Sequence, residues 1–269
     1  MADISEKKVA FVTGASKGIG AGIALEFARA GYDLALHHRD SEAEALEVKR
    51  KAEELGAAAV IVQGDIGKLP DIDRMFEAFG RVFGRLDVMV NNAGITRFSP
   101  YLETTPELFE QLVNIDFRGS FFCGQKAARI MVEKKIPGLI INITSNHQKG
   151  NWPHASVYAS AKAALNKLTE NIAMELAPYG IRAVSIAPGY TQTRERPKAR
   201  PPHIPHERWE RWTGTTKRIP MGRFCEPWEI GKACVFLASE GAGYITGTCL
   251  YMDGGALLPV VAENTFDNI

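Results

Sequence analysis

The chain has 269 residues, 45% of them apolar and 23% charged, and its 32 Lys and Arg against 31 Asp and Glu leave a net charge of +1. This is the average composition of a globular protein and excludes disordered and collagen-like chains. A nearly neutral chain has no overall attraction for nucleic acid or for an anionic membrane, so neither is an expected partner.

The amino terminus, MADISEKKVAFVTG, places Glu and Lys where a signal peptide needs an unbroken apolar stretch. No run approaches the roughly 18 apolar residues of a spanning helix. Cys123, Cys225, Cys234 and Cys249 lie far apart without a C-x-x-C pair, which indicates neither a zinc site nor a disulfide framework. A soluble, unexported, cytoplasmic protein with reduced thiols and no metal is expected.

In chain order, a short apolar strand at Val9 to Thr13 leads into a helix from about Gly18 to Ala30 and a strand at Asp33 to His38. A Glu/Lys-rich helix over 41 to 55, a strand at Ala58 to Gln63, a helix near 71 to 83 and a strand at Leu86 to Val90 follow. Helical patterns cover about 105 to 132 and 156 to 177, separated by the strand Leu139 to Thr144 and followed by the strand Arg182 to Ala187. After Pro188 the pattern breaks into a stretch rich in Pro, Arg and Trp, until a helix near 227 to 238 and a strand at Thr248 to Met252 restore it.

Strands this apolar, alternating with helices, specify an α/β fold with a parallel sheet covered on both faces. The expectation is a single domain over 1 to 269: a Rossmann-like, doubly wound sheet of about seven strands. The irregular stretch at about 190 to 217 is read as a substrate lid, in which Trp209 and Trp212 either close over the substrate or pack the lid down.

The first strand runs straight into Thr13-Gly14-Ala15-Ser16-Lys17-Gly18-Ile19-Gly20 and then a helix. A glycine-rich turn at a helix amino terminus lets backbone N–H groups approach a diphosphate, and the helix dipole favours the anion. Gly64-Asp65-Ile66 beyond the third strand suits an adenine edge, and Asn91-Asn92-Ala93-Gly94 ends the fourth. Each of these could be an ordinary turn; together, at successive strand ends, they mark a dinucleotide site. The second strand ends His37-His38-Arg39, without the acid that usually holds the ribose of NAD. Arg39, with Lys17 and Ser16, suits the 2′-phosphate of NADP, and both cofactors stay open.

Ser145 follows the fifth strand, and Tyr158 and Lys162 share one helix face at i and i+4. A phenol with a pKa of about 10 is a poor base near neutrality, but a neighbouring ammonium favours the phenolate. Ser145 is placed to hydrogen-bond a substrate oxygen, and Asn114, an odd residue inside a helical pattern, to hold a water.

The set of T-G-x-x-x-G-x-G at Thr13 to Gly20, N-N-A-G at Asn91 to Gly94, Asn114, Ser145, Tyr158 with Lys162, Pro188-Gly189, and Ile245-Thr246-Gly247 with Asp253-Gly254-Gly255 resembles the short-chain dehydrogenases/reductases along essentially the whole chain. The resemblance implies Tyr158 as acid/base, Ser145 stabilising the developing alkoxide, Lys162 on the nicotinamide ribose, Asn114 supporting a proton-relay water, and Thr191 and Thr193 on the carboxamide. It also implies a homotetramer or dimer.

The loop Ser145-Asn146-His147-Gln148-Lys149-Gly150-Asn151-Trp152-Pro153-His154 is similar to that of bacterial glucose and other aldose 1-dehydrogenases within the family, which implies His147, Gln148 and Asn151 on sugar hydroxyls. Where the glucose-oxidising relatives carry an acid after N-N-A-G, this chain has Thr96 and Arg97. With Arg194, Arg196 and Lys198 in the lid, these cations suit a sugar bearing an anionic group, or are solvated surface charge. A sulfoquinovose dehydrogenase fits the anionic pattern, and a uronate or sugar phosphate fits nearly as well. The reading is oxidation of an aldose at C1 to its lactone by NAD or NADP. The alternatives are reduction of a keto-sugar or ketoacyl substrate, and a dinucleotide-sensing protein without catalysis.

Overall fold

The computed structural model describes residues 7–193 and 214–258. The lid expectation, with Arg194, Arg196, Lys198, Trp209 and Trp212, falls mostly outside those residues. Within them the α/β alternation forms as expected, as one seven-stranded sheet in the order β3-β2-β1-β4-β5-β6-β7. The strands are β1 (Val9–Val12), β2 (Asp33–His38), β3 (Ala59–Gln63), β4 (Val88–Asn91), β5 (Leu139–Ile143), β6 (Arg182–Pro188) and β7 (Cys249–Met252). Every pairing is parallel, which demands a crossover between successive strands.

The crossovers are α1 (Gly18–Arg29), α2 (Glu42–Glu54), α3 (Leu69–Gly80), α4 (Pro106–Val113) continuing into α5 (Ser120–Glu133), α6 (Ser156–Leu176) and α7 (Pro227–Leu237). Side chains alternate across a strand, so β1 feeds both faces of the sheet. Ala10 and Val12 pack with Ile23 and Phe27 of α1 and Ile230 and Cys234 of α7. Val9 and Phe11 pack with Met75 and Phe79 of α3 and Met131 of α5. Phe11 meets the Phe76 and Phe79 rings at 5.1 and 5.5 Å, and burying each such ring contributes roughly 1.5–3 kcal/mol.

Strand order reverses between β1 and β4, and a crevice opens beyond their carboxyl ends. Two further features shape the helices around the sheet. Between α4 and α5 the chain makes a π-helical turn, Asn114–Gly119, which puts an extra residue into the helix and re-aims its side chains. At the other end, Glu226 and Glu229 form a capping box on α7, and Arg223 clamps Glu229 with both guanidinium nitrogens, at 2.7 and 2.8 Å. Its guanidinium pulls the Glu229 carboxyl down to about 2.

Candidate active site

The crevice is a cleft of about 720 Å³ along the carboxyl ends of β1 to β5. One end is lined by Gly14, Ser16, Lys17, Gly18, Ile19 and Gly20, by Arg39 and Ser41 beyond β2, and by Asp65 and Ile66 beyond β3. Asn92, Ala93, Gly94, Thr96 and Arg97 line its middle, with Tyr158 and Lys162 at the other end, while Thr193 lies over the first. The sequence-derived cofactor set thus converges on one surface, apart from the Pro188 to Thr191 segment, which supports it.

The glycine turn is held from both sides. The Thr13 hydroxyl accepts the N–H groups of Asn92 and Ala93 at 2.9 and 3.0 Å, and Asn92 Nδ2 donates back to the Thr13 and Gly14 carbonyls. The Gly14 N–H donates to His37 Nδ1. A Cβ on Gly20 would stand 2.1 Å from the Gly14 carbonyl oxygen, so only glycine lets α1 start this close to the turn. Lys17, at the start of α1, supplies no side-chain cap and the first turn carries no acid. The first-turn amides and the positive helix end therefore face the cleft uncompensated, the chemistry of a diphosphate cradle.

Beyond the cradle, Asp65 Oδ1 accepts the Gly67 N–H at 2.9 Å and shapes the turn that brings Ile66 to the wall. Lys17 Nζ lies 3.4 Å from the Ser41 hydroxyl, and the Arg39 guanidinium holds the exposed Asp40 carboxylate. Lys17, Arg39 and Asp40 thus group with the hydroxyls of Ser16 and Ser41 at this end of the cleft. Pro188 closes β6; the Gly189 N–H bonds the Met252 carbonyl, and Thr191 bridges to Cys225. Thr193 lies against the cradle, 3.3 Å from where a Gly18 Cβ would be.

At the far end, Tyr158 and Lys162 lie on one face of α6 as their spacing requires, both buried. Lys162 Nζ donates to the Ile143 carbonyl at 3.2 Å and stands 5.9 Å from the Tyr158 ring centre. α6 is tied to the sheet centre by a buried chain from Asn91 Nδ2 to Asn142 Oδ1 and from Asn142 Nδ2 to the Thr169 hydroxyl.

The π-turn separates two residues that the sequence reading did not distinguish. Asn114, expected at the reacting centre, opens the turn half-buried and does not line the cleft. Asp116 does, and its Oδ1 pairs with Lys162 Nζ at 3.0 Å. The extra residue of the π-turn gives the inward direction to Asp116, which a helix of uniform period would not reveal.

Ser145 Oγ lies 3.1 Å from His147 Nδ1 and also accepts the His147 N–H at 3.2 Å. The His147 ring is sandwiched, 3.8 Å from Trp152 and 5.8 Å from Phe98, and presents its edge to Tyr158 at 5.4 Å. Burial lowers the His147 pKa, and its buried Nε2 has no hydrogen-bond partner among the described residues. Gln148 departs from expectation. Gln148 Nε2 turns to the far edge of the sheet, donating to Cys249 Sγ at 3.1 Å and Tyr251 Oη at 3.0 Å, and Asn151 is exposed. Arg97 is exposed at the cleft, donating to the Thr96 carbonyl.

A family profile described as "Enoyl-(Acyl carrier protein) reductase" matches residues 14–256, nearly the whole chain. The chain belongs to the short-chain dehydrogenase/reductase family. It is 38% identical over 261 residues to the 3beta-hydroxysteroid dehydrogenase 1 of Eggerthella lenta, covering 96% of this chain and 97% of that protein. It is 36% identical to the L-rhamnose 1-dehydrogenase (NAD(P)(+)) of Azotobacter vinelandii over 251 residues, 92% of this chain and 96% of that one. The solved structure of acetoin dehydrogenase YohF from Salmonella typhimurium superposes with a TM-score of 0.86 at 35% identity, over 96% of this chain and 99% of that one. That of the angucycline C-6 ketoreductase LanV with bound NADP gives 0.83 at 32%, over 94% and 96%. This short-chain dehydrogenase/reductase is accordingly an oxidoreductase acting on CH–OH groups, in a family that uses NAD(P). Among the described residues no helix is long and apolar enough to cross a membrane, and no group of His, Cys, Asp or Glu is arranged to hold a metal ion.

Proposed function

We propose that the protein oxidises an aldose at C1 to its lactone with NADP, or NAD, as acceptor. The observation that carries this is the group beside Tyr158: a stack of Trp152, His147 and Phe98 with one buried nitrogen, His147 Nε2, that has no hydrogen-bond partner among the described residues. A pyranose presents an apolar C–H face and a rim of hydroxyls, so it suits the exposed Phe98 ring at one end of the stack while a hydroxyl gives that nitrogen a partner.

The bound dinucleotide supplies a nicotinamide that takes up hydride from C1. The protein's residues do the rest. Tyr158 accepts the proton of the C1 hydroxyl, and Ser145 donates a hydrogen bond to the same oxygen as charge develops on it. Lys162 stands buried on the same face of α6, its ammonium 5.9 Å from the Tyr158 ring centre. Arg39, Lys17, Ser16 and Ser41 favour NADP through its 2′-phosphate. Arg97 at the rim makes an anionic sugar the preferred member of the class, with the 6-sulfonate, uronate and 6-phosphate hexoses as candidates. The exposed apolar side chains Phe109, Phe121 and Met174 on α4, α5 and α6 suit subunit contacts in a homotetramer.

A second reading, reduction of a ketone on a larger apolar ring, is favoured by Phe98, 52% exposed and 6.1 Å from the Tyr158 ring, since an apolar ring would cover it. Initial rates across neutral aldoses, their anionic analogues and a set of ring ketones, each with both cofactors, separate the two. Aldose oxidation with a preference for anionic sugars is expected; turnover of ketones alone would reject the aldose assignment. In the productive direction, Tyr158→Phe should retain cofactor binding and lose turnover.

A further inference from the structure

Asp116 is 0% exposed at its side chain and Lys162 is 6% exposed, so the pair is a buried one. The surrounding geometry is closed on every side but one. Asp116 Oδ1 faces Lys162 Nζ at 3.0 Å, while Oδ2 accepts the Ile95 N–H at 3.2 Å. The ammonium donates to the Ile143 carbonyl and meets Asp116 as an ion pair, leaving one side of it for the cleft. Gly94 is required at the contact, because a Cβ there would lie 2.4 Å from Asp116 Oδ1 and 3.2 Å from Lys162 Nζ. The π-turn delivers the carboxylate, since Asn114–Gly119 is the only stretch of α4–α5 so wound among the described residues.

We propose that Asp116 is a positioning residue, which keeps Lys162 as a charged ammonium and directs its remaining side into the cleft. A lone ammonium in this pocket would be costly, and burial alone would drive it to the neutral amine. Burial does oppose the charge, but the carboxylate of Asp116 and the phenol of Tyr158 more than offset it, so that Lys162 holds its proton to higher pH than an ordinary lysine. The other ionisable groups near this end of the cleft are His147, on the loop after β5, and Arg97, after β4. His147 faces Tyr158 with its ring edge, and Arg97 is exposed on the rim, so the carboxylate is the group in contact with the ammonium.

The inference rests on the reading of Lys162 as part of the reacting centre, and its test is kept independent of any substrate. The side-chain carbon signals of isotopically labelled lysine are followed by NMR against pH in the full-length protein, with the Lys162 signal assigned by its loss in Lys162→Arg. In the wild type it should stay at the ammonium position well into the alkaline range. In Asp116→Asn it should move to the amine position at lower pH. Coincident titration curves would overturn the proposal. Should Asp116→Asn not fold, Gly94→Ala gives the same test, because its Cβ displaces the carboxylate while keeping both charges, and the Lys162 signal should again shift to lower pH.

The alkaline limb of turnover is measured alongside. If it moves down with the lysine, Lys162 acts as an ammonium in the reaction. If the lysine moves and turnover does not, the pair stands and the catalytic reading of Lys162 falls.

Discussion

His37 Nδ1 accepts the backbone N–H of Gly14 at 3.0 Å, and its Nε2 bonds the Gly64 carbonyl at 2.9 Å. One imidazole at the end of β2 thus joins the glycine turn after β1 to the turn after β3, across the floor of the cleft. Because Nδ1 must accept, the ring is neutral and carries its proton on Nε2.

A pH dependence follows. Burial pushes His37 down to about 4, although the Gly64 carbonyl and Asp65 work the other way. The unfolded chain binds this proton at about 6.5. The stabilisation is therefore fully present above that value and is lost as pH falls from about 6.5 to about 4, a contribution on the order of 3 kcal/mol. Replacing His37→Gln keeps an acceptor and a donor but removes the titration. Urea unfolding at several pH values should show a flatter acid slope in the variant. Parallel slopes would mean that other groups govern acid sensitivity.

Arg39 and Lys17 stand together at one end of the cleft, where Asp40 is the acid beside them and pairs with Arg39. Arg39→Ala should lower kcat/KM for NADP by about tenfold or more, the usual effect of losing one charge-assisted contact, and leave NAD nearly unchanged. An equal loss with both cofactors would place Arg39 outside the 2′-phosphate site. Its present partner, Asp40, would have to release it, so Asp40→Asn should favour NADP further.

Two glycines give opposite outcomes for the same change. Gly20→Ala drives a methyl into the Gly14 carbonyl oxygen at 2.1 Å and Asn92 Nδ2 at 2.5 Å, where backbone cannot give way. It should cost about 1–3 kcal/mol and abolish binding of reduced cofactor measured by fluorescence. Gly80, at the end of α3, has nothing within 4 Å of a Cβ, and Gly80→Ala should be neutral or stabilising by up to about 1 kcal/mol. Retained cofactor binding in Gly20→Ala would contradict the close approach.

The strands and helices were legible because each carries its own period: β2 begins and ends at the expected residues, and α6 runs from Ser156 to Leu176 against an expected 156 to 177. The glycine turn after β1 and the Asn92 to Gly94 turn line one cleft as expected for a related reason, since their residues are contiguous at strand ends. What stayed hidden depends on geometry between distant segments. Asn114 and Asp116 both sit in one helical pattern, and only the inserted π-turn selects Asp116 as the residue that reaches Lys162. Gln148 turns away because β7 pairs with β6 and brings Cys249 and Tyr251 to it, a consequence of sheet order that no local pattern encodes.

His147 carries the substrate assignment, and its two nitrogens have different duties. Nδ1 lies 3.1 Å from Ser145 Oγ, which already accepts the His147 backbone N–H, so the Ser145 hydroxyl proton is directed either at Nδ1 or at a substrate oxygen. Nε2 is buried without a partner among the described residues, and leaving it so is costly until a ligand group meets it. His147→Phe keeps a flat ring between Trp152 and Phe98 while deleting both nitrogens. For a polyhydroxylated substrate, KM should rise about tenfold, the worth of one buried hydrogen bond, with kcat reduced less because Ser145 still donates to the reacting oxygen. For an alcohol with a single hydroxyl the same variant should leave KM nearly unchanged, since nothing on that substrate reaches Nε2. Steady-state constants for the two substrates, measured with wild type and variant, decide the matter: an equal rise in KM for both would show that the ring packs the loop and reads no hydroxyl.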